Sequence, residues 1–544
     1  MGLLEEELDA GNAASDKKND DYDISDESDD VSEKQGLAQS LSSRHLLMFS
    51  VGATIGMGFW LGTGSILRSG GPAAIFLGFC LAGIIAFTVN QAVGELAILY
   101  PLPSAFPQWT LKLVDVTPAF TCGWAYWFCA VVTLANELQS CNTVLQYWTD
   151  AVPTAAWISI FIVVLFIIAV SAVEVFGEVE VILSAVKLFW IAVVIISFIV
   201  ISAGGAPNHH KTGFEYWNSM PFTNGFKGFL SVMATCITSM SGTEIVGLAA
   251  AEAKNPKASV GRAVNSTWIR LTVFYVMGAL MVSITVSPMN EKIFGGSGTD
   301  GSPFVIAYRE ANLPGLAHAM NAIIFVSVIS SGNGQAYTGT RTLVGMANLG
   351  LAPKFLAKCD RRGVPWFAAI ATFVVGGGLS YLNVSNSGGT VFSWFSSLTS
   401  LCILWVWGTI FICHLRFRAA WKAQGRTPQE LPWRTVFWPY GTVIGLTLCV
   451  LLIVVQFYLA IWPLHKPTTA ENFFATFISI VVLVVLFCLA KLWFRGPLFK
   501  RAKDIDLVTG MVEYGPDEED TEASGAQHEG KRLRLRKFAK SLKR

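Results

Sequence analysis

The sequence predicts an all-α membrane protein with twelve transmembrane helices, of which the first and the sixth are discontinuous. Three observations lead to this fold class. The 544-residue chain is 53% hydrophobic and only 14% charged, which is too apolar for a protein that faces water on all sides. Apolar runs recur along its middle, each long enough to cross a hydrocarbon core of about 30 Å as a helix. Glycines gather inside the first and the sixth of these runs.

The apolar runs define a membrane domain between two polar tails. The tail over 1–43 is acidic and poor in apolar residues, so burial cannot offset the entropy of ordering it, and we expect it to be unstructured. The tail over 496–544 is similar, and its basic end is either an amphipathic helix on anionic lipid or a solvated charge run. The domain over 44–495 holds spans predicted near 46–67, 72–99, 118–147, 155–172, 178–203, 228–250, 264–286, 314–347, 365–384, 391–415, 436–461 and 473–494.

Basic residues indicate the orientation of these spans. The loops that follow the even-numbered spans are rich in lysine and arginine, and include Lys112, Lys257, Lys358 and Arg426. Because loops of this kind stay in the cytosol, both tails are predicted to be cytosolic. The basic residues follow membrane topology, so they give no indication of nucleic-acid binding.

Motifs for redox, metal or enzymatic chemistry are missing from the sequence. The ten cysteines lie mostly inside apolar runs, with no close C-x-x-C pair and no accompanying histidine cluster, so neither a metal site nor a cofactor is predicted. No glycine-rich phosphate loop or nucleophile elbow is present either. We therefore do not expect an enzyme.

Glycines interrupt the first span in the stretch "FSVGATIGMGFWLGTGS". Each glycine costs about 1 kcal/mol relative to alanine inside a helix, and a bilayer tolerates a broken helix only where the break is buried in protein or lines a wet cavity. The sixth span has a second candidate break in "CITSMSGTEIVG". Breaks at corresponding places of two five-helix halves predict a five-plus-five inverted repeat with a substrate site between the broken helices. The alternative is that the glycines serve only close helix packing.

The predicted breaks carry a specific recognition chemistry. Unwinding at Gly56, Met57 and Gly58 exposes N–H groups at the start of a half-helix, where the helix dipole suits a carboxylate. Backbone carbonyl groups opposite would receive an ammonium group, so the site would recognise a zwitterion through main-chain atoms. These carbonyl groups belong to Ala53, Thr54, Thr238 and Ser239.

Several linked motifs then carry a family resemblance. "GATIGMGFWLGTGS", "GELAILYPLP", "FGEVEVILSAVKLF", "SGTEIVGLAAAEAKNPKASV" and "SSGNGQAYTGTRTL" occur in order at the expected spacings. Over about residues 44 to 500 the chain closely resembles the fungal amino-acid permeases of the yeast amino-acid transporter family, within the amino acid, polyamine and organocation superfamily. The resemblance implies a LeuT-like permease domain that imports L-amino acids with protons, usually at the plasma membrane.

The resemblance also implies roles for individual residues. Gly56, Met57 and Gly58 match the family's carboxylate-binding turn, and the turn of the sixth helix matches Ser241, Gly242, Thr243 and Glu244. Glu244 resembles an acidic gating or proton-sensing residue. Lys187 lies where proton-coupled relatives place a lysine ammonium group instead of a bound sodium ion.

Two further acids, Glu95 and Glu137, fall inside predicted spans. An ionisable group inside a membrane is costly and is usually functional, so Glu95 is a candidate for proton coupling and Glu137 for substrate binding. For these acids, as for Lys187 and Glu244, the alternative is a neutral or paired structural group.

The chain departs from the family pattern at Met57, Trp60 and Thr238, which alters the expected shape of the pocket and its lid. Trp60 and Thr238 are therefore also expected to contact substrate. The segment "ANELQS" is most similar to relatives that carry basic amino acids, and an acid near the pocket favours a cationic side chain. The altered gate leaves open an amino-acid receptor that signals without transport.

Lysines in the N-terminal tail suggest regulation. Relatives receive ubiquitin on mobile acidic tails of this kind, and the candidate acceptors are Lys17, Lys18 and Lys34. The alternative is an inert solubilising tail. The expected partners are thus an L-amino acid, protons, the lipid bilayer and the ubiquitin machinery.

Overall fold

The computed structural model describes residues 43–514, apart from 53, 172, 254, 296–300, 361–362, 386–387, 465–466 and 498. Every regular element within these residues is helical. In this described part of the chain, ten helices are long and apolar enough to cross a membrane, and Thr154–Ala169 is a shorter apolar helix. With the interrupted first segment, Ser43–Gly70, they account for the twelve predicted spans, so the predicted fold class is confirmed.

The spans are numbered here in chain order, and the halves of a broken span are labelled a and b. Short helices over Ala105–Leu113 and Pro303–Glu310 connect spans at the two faces of the bundle. The bounds are span 1a Ser43–Gly52, span 1b Met57–Trp60 with Gly62–Gly70, span 2 Pro72–Leu99, span 3 Val116–Leu145, span 4 Thr154–Ala169, span 5 Val173–Ser202, span 6a Gly225–Met240, span 6b Ile245–Ala249, span 7 Pro256–Arg270 with Gly278–Thr285, span 8 Pro314–Asn348, span 9 Trp366–Ser380, span 10 Gly388–Ala423, span 11 Tyr440–Ile461 and span 12 Ala470–Phe494.

Local capping explains where several spans begin. Span 7 begins eight residues before its predicted start, because Pro256 takes the first helical position and the Asn255 side chain accepts a hydrogen bond from the N–H of Ala258 at 3.1 Å. Thr469 caps span 12 in the same way, through the N–H of Asn472 at 3.2 Å. Hydropathy alone does not register these polar caps.

Span 3 lies at the centre of the bundle and packs most extensively against spans 8 and 10. Span 1a packs against spans 5 and 7, whereas span 1b packs against span 6a. Spans 11 and 12 lie at the periphery, where large apolar side chains such as Leu492 and Trp493 are exposed and suited to lipid. The two broken spans are therefore held in the interior of the protein.

The face on which span 1 begins and span 12 ends is called the tail face below. A segment that we call the C-terminal strap, residues 499–514, lies across it. The N–H of Val512 donates to the carbonyl of Leu99 at 3.0 Å, and the Tyr514 hydroxyl donates to that of Ile98 at 2.7 Å. The expectation that the chain is unstructured beyond 495 is wrong for the strap, because the strap satisfies carbonyl groups that the end of span 2 leaves unpaired.

Candidate functional site

Span 1 is broken where the sequence predicts it. Span 1a ends at Gly52 and the next helical residue is Met57, with Thr54, Ile55 and Gly56 in turn or extended conformation between them. Ala53, a predicted ammonium acceptor, lies outside the described residues. The backbone groups beside the gap cannot pair within a continuous helix, so they must find other partners.

Span 6 is broken by a four-residue turn from Ser241 to Glu244. Ser241 has an extended backbone, and Gly242 has a φ of +98°, which an L side chain adopts only at a cost. Helix resumes at Ile245. Gly242 therefore permits the turn that ends span 6a.

The two breaks lie side by side. A Cβ atom built on Gly58 would be 3.2 Å from the Cα atom of Ser239, so spans 1b and 6a approach almost backbone to backbone. Thr238 and Ser241 are also buried at this junction. The close approach is what the packing alternative predicts for these glycines, but packing alone does not unwind both helices at the same place.

A carboxylate of the protein itself lies on the N–H group at the start of span 1b. The Met57 N–H donates to both oxygens of Glu137, each at 3.2 Å, and the Ser331 hydroxyl donates to Glu137 at 3.0 Å. A Cβ atom on Gly56 would be 2.2 Å from Oε1 of Glu137, so only glycine leaves room for this carboxylate. Glu137 thus takes the place that the sequence predicts for a substrate carboxylate.

The free carbonyl groups of the span 1 break are bound by two polar side chains. Lys187 of span 5 donates from Nζ to the carbonyl of Gly52 at 2.6 Å and to that of Ile55 at 2.9 Å. The Tyr275 hydroxyl donates to the carbonyl of Thr54 at 2.9 Å. Lys187 is completely buried, and among the described residues no carboxylate lies within 4 Å of its ammonium group.

Glu244 closes the break in span 6. Its carboxylate accepts hydrogen bonds from the N–H of Gly242 at 3.1 and 3.3 Å, from the Tyr126 hydroxyl at 3.2 Å and from the Trp407 indole at 3.2 Å. These donors join span 6 to spans 3 and 10. The acid is buried, and its described partners are all uncharged.

Two of the other predicted pocket residues bond away from the span 1 gap. The Thr238 hydroxyl donates to the carbonyl of Ser396 in span 10 at 2.8 Å. The Ser239 hydroxyl donates to the carbonyl of Thr235 at 2.7 Å, one turn earlier in its own helix. Span 6a therefore presents its hydroxyl groups to backbone carbonyls in this conformation.

Trp60 lies one helical turn beyond the span 1 break, where its N–H donates to the carbonyl of Gly56 at 3.3 Å. Its ring packs against Phe304 of the helix Pro303–Glu310, with ring centroids 4.9 Å apart, and its carbonyl accepts a hydrogen bond from the Ser302 hydroxyl at 2.9 Å. The side chain thus lies in an aromatic cluster with Phe59 and Phe304, and its contact with substrate stays a prediction.

Glu95 also lies outside the group of site residues. Arg418 binds it with two hydrogen bonds of 2.6 and 2.7 Å, His414 contacts it at 3.0 Å, and the N–H of Thr435 donates to it at 2.8 Å. This buried ion pair joins spans 2 and 10 near the tail face. The geometry favours the paired structural carboxyl that was the alternative for Glu95.

Three polar residues in the centre of the bundle were not among the predicted site residues. Ser331 and Tyr275 contact the span 1 break, and Glu180 is a buried acid on the same face of span 5 as Lys187. Only Glu180 had a usable signal, since its spacing of seven residues from Lys187 corresponds to two helical turns.

A helical bundle whose first and sixth helices break side by side in its interior defines the class of secondary transporters with inverted repeats. The particular family follows from comparison with known proteins. The chain belongs to the amino acid permease family, because the model of that family, described as "Amino acid permease", matches residues 45–502. It is therefore a membrane permease for amino acids and not an enzyme.

Curated fungal proteins are similar over most of their length. "Cationic amino acid transporter 1" of Schizosaccharomyces pombe is 38% identical over 498 residues, which cover 90% of this chain and 84% of the relative. "Amino acid transporter 1" of the same yeast is 38% identical over 489 residues, covering 89% and 84%. "Amino-acid permease inda1" of Hypocrea atroviridis is 36% identical over 493 residues, covering 89% and 86%.

Proposed function

We propose that this permease imports L-amino acids together with protons across the plasma membrane, and that it prefers cationic amino acids. The observation that carries the proposal is the contact between the Glu137 carboxylate and the Met57 N–H group. A helix N-terminus that binds the carboxylate of Glu137 is chemically suited to bind a substrate carboxylate in its place.

Competition for this N–H group supplies the coupling to protons. Two carboxylates at one donor repel each other, so both cannot stay ionised there. Binding of a substrate carboxylate therefore requires Glu137 to accept a proton or to turn away. A Glu137 side chain that turns away as an anion can meet a cationic substrate side chain, which fits the name of the relative called "Cationic amino acid transporter 1".

Lys187 has the second role in this proposal. Its ammonium group fastens the carbonyls of Gly52 and Ile55 to span 5, as a bound cation would. Removing the charge leaves these carbonyls without a partner inside the membrane. We expect Lys187→Met to abolish the pH dependence of uptake, or uptake altogether. Unchanged pH dependence in this variant would remove Lys187 from the coupling role.

The proposed orientation places the tail face in the cytosol. Lys112 and Lys500 lie at this face and bond to backbone carbonyls there, Lys112 to Thr509 at 2.8 Å and Lys500 to Leu111 at 2.9 Å. Basic residues at one face of a membrane protein indicate its cytosolic side. The proposed ubiquitin acceptors, Lys17, Lys18 and Lys34, lie outside the described residues and stay a prediction.

The test is uptake by a permease-deficient yeast strain that displays the protein at its surface. Labelled arginine, lysine, leucine and glutamate are offered at pH 5 and pH 7, with and without a protonophore. We expect accumulation of arginine and lysine that is faster at pH 5 and is abolished by the protonophore. Failure to accumulate any amino acid, with the protein at the surface, would refute transport, and binding without flux would indicate the receptor instead.

A further inference from the structure

Span 5 carries a second buried ionisable residue that the proposed mechanism does not use. Glu180, Ser184 and Lys187 are spaced by four and three residues, so they lie along one face of the helix, and all three are completely buried. This face is turned toward span 1a and span 8. An acid and a base buried on one helix face call for an explanation.

Within the described part of the chain, Glu180 is held only by uncharged donors. The hydroxyl of Ser330 donates to its Oε1, as does that of Ser184 at 3.4 Å, and the amide of Asn333 donates to Oε2 at 3.5 Å. A carboxylate in a protein interior is costly unless a charge partner compensates it. Glu180 therefore differs from an acid whose role is to hold helices together.

Two other acids in this protein show what a structural ion pair looks like. Glu95 is bound by Arg418 at 2.6 and 2.7 Å, and Glu252 is bound by Arg341 at 2.8 Å. Both pairs join spans near the tail face. No described arginine or lysine lies within 4 Å of Glu180, so packing stability alone does not account for its carboxyl group.

Glu180 and Lys187 both lie against Gly52, the last residue of span 1a. The carbonyl of Gly52 accepts the 2.6 Å hydrogen bond from Lys187, and a Cβ atom on Gly52 would be only 1.8 Å from Oε1 of Glu180. Gly52 thus separates the base from the acid. Movement of span 1a away from span 5 withdraws the Gly52 carbonyl from Lys187, loosens the adjoining break that carries the Ile55 carbonyl, and removes this separator.

Helix geometry makes Glu180 the natural next acceptor. The two residues are about 10.5 Å apart along the helix axis, and helical side chains point back toward the N-terminus, so the side chain of Lys187 extends toward Glu180. A lysine ammonium that loses its acceptors inside a membrane needs a new partner at once.

We propose that Glu180 is the positioning residue that receives the Lys187 ammonium group when span 1a withdraws from span 5. Lys187 then alternates between the carbonyls of span 1 and the carboxylate of Glu180, and its charge has a partner in both conformations. This inference rests on the proposed function, since it names the partner of Lys187 in the conformation in which span 1a has moved away from span 5.

The other charged and titratable groups around Glu180 are engaged elsewhere. On its own helix Glu178 is half exposed and is bound by Arg44 and His45 of span 1a. Span 8 presents neutral Ser330 and Asn333, and its next ionisable groups are bound to Glu252. Those groups are Tyr337, at 2.9 Å, and Arg341, at 2.8 Å, while Glu137 of span 3 lies on the other side of the break, against Gly56.

The test compares Glu180→Gln with Glu178→Gln in the full-length chain. The control changes an acid two residues away in the same motif, and each variant is measured for surface amount, KM and maximal rate of arginine uptake. Because glutamine keeps the shape and the acceptor oxygen but not the charge, we expect about a tenfold lower maximal rate with KM within about twofold for Glu180→Gln. Glu178→Gln loses only the half-exposed ion pair with Arg44 and His45, so its maximal rate should stay within about threefold of the parent. Equal kinetics of the two variants would overturn the inference.

A double-mutant cycle with Lys187→Met provides the readout that a merely structural acid would not change. If Glu180 acts through Lys187, Glu180→Gln should have no further effect on uptake or exchange in the Lys187→Met background. If that background has neither uptake nor exchange, the comparison of Glu180→Gln with Glu178→Gln decides alone. Additive losses would contradict the inference. Should Glu180→Gln fail to reach the surface, Glu180→Asp decides instead, because it keeps the charge. It should retain about a third or more of the maximal rate per surface molecule, and about a tenfold loss there would also contradict the inference.

These results separate the inference from the function on which it rests. No accumulation of any amino acid by the unsubstituted protein and by Glu178→Gln would refute the proposed function itself. Proton-dependent uptake by both, with unchanged kinetics in Glu180→Gln, would refute only the role of Glu180.

Discussion

The contact between Glu137 and Met57 makes a quantitative prediction for the variant Glu137→Gln. Glutamine keeps the length of the side chain and its contact with Ser331 but removes the negative charge. A hydrogen bond to a charged acceptor contributes about 1.5–3 kcal/mol, and one to a neutral acceptor about 0.5–1.5 kcal/mol. The competitor for the Met57 N–H group is therefore weakened by roughly 1–1.5 kcal/mol, which corresponds to about a tenfold change in affinity.

We expect Glu137→Gln to bind neutral amino acids about tenfold more tightly at pH 7 than the unsubstituted protein does. The unsubstituted protein should bind more tightly as the pH falls, because a proton on Glu137 releases the N–H group, whereas the variant should bind equally at pH 5 and pH 7. The preference for arginine over leucine should weaken, since the anionic partner is lost.

The assay is equilibrium binding of labelled leucine and arginine to purified protein, which separates binding from turnover. Ser331→Ala is the matched control, because it removes one neutral donor to Glu137 and leaves the charge in place. It should change affinity by about fivefold or less and keep the pH dependence. Unaltered affinity together with a retained pH dependence in Glu137→Gln would refute the competition between the two carboxylates.

Three further predictions concern the stability of the fold. Gly242→Ala should lower the melting temperature of the purified protein, because a φ of +98° costs about 1–2 kcal/mol for a residue with a Cβ atom. Gly408→Ala is the control, since Gly408 lies in a continuous helix and a Cβ atom built there would come no closer than 3.9 Å to a neighbouring side chain. Glu95→Gln should destabilise the folded protein by about 3–5 kcal/mol, because it leaves Arg418 buried without its counter-charge. The KM for arginine should stay unchanged. A changed pH profile of uptake with normal stability would instead support the proton-coupling role first expected of Glu95. Burial of Asp506 in the strap disfavours its charge, but hydrogen bonds from Thr509 and neighbouring N–H groups and the charge of Lys112 lower its pKa to about 2. The strap contacts should therefore be intact above about pH 4 and weaken as the pH falls toward 2, which limited proteolysis across this range would detect. Cleavage that does not change with pH would contradict this.

The sequence predicts the two breaks well because two independent constraints agree there. Glycines weaken the helix at Gly56 and Gly242, and the bilayer forbids an unpaired backbone unless protein surrounds it. Span existence is predicted equally well, since length and hydropathy alone determine it. Both signals are local in the chain.

Side-chain partners could not be predicted, because they depend on the rotation of each helix about its own axis. Glu95 and Glu137 have similar apolar surroundings in the sequence, yet one faces Arg418 and the other faces the span 1 break. Tyr275 reaches the Thr54 carbonyl from a stretch of π-helix, Leu271–Met277, whose wider turn hydropathy does not reveal.

The strap has a consequence for biosynthesis. The Tyr100 hydroxyl donates to the carbonyl of Leu507 at 2.6 Å, a bond between residues 407 positions apart. The carbonyls of Ile98 and Leu99 are synthesised early but receive the Tyr514 hydroxyl and the Val512 N–H only after span 12 has left the ribosome. Until then interfacial water must hydrate them. Folding of this protein therefore includes a late step, after membrane insertion, in which the strap docks onto the end of span 2.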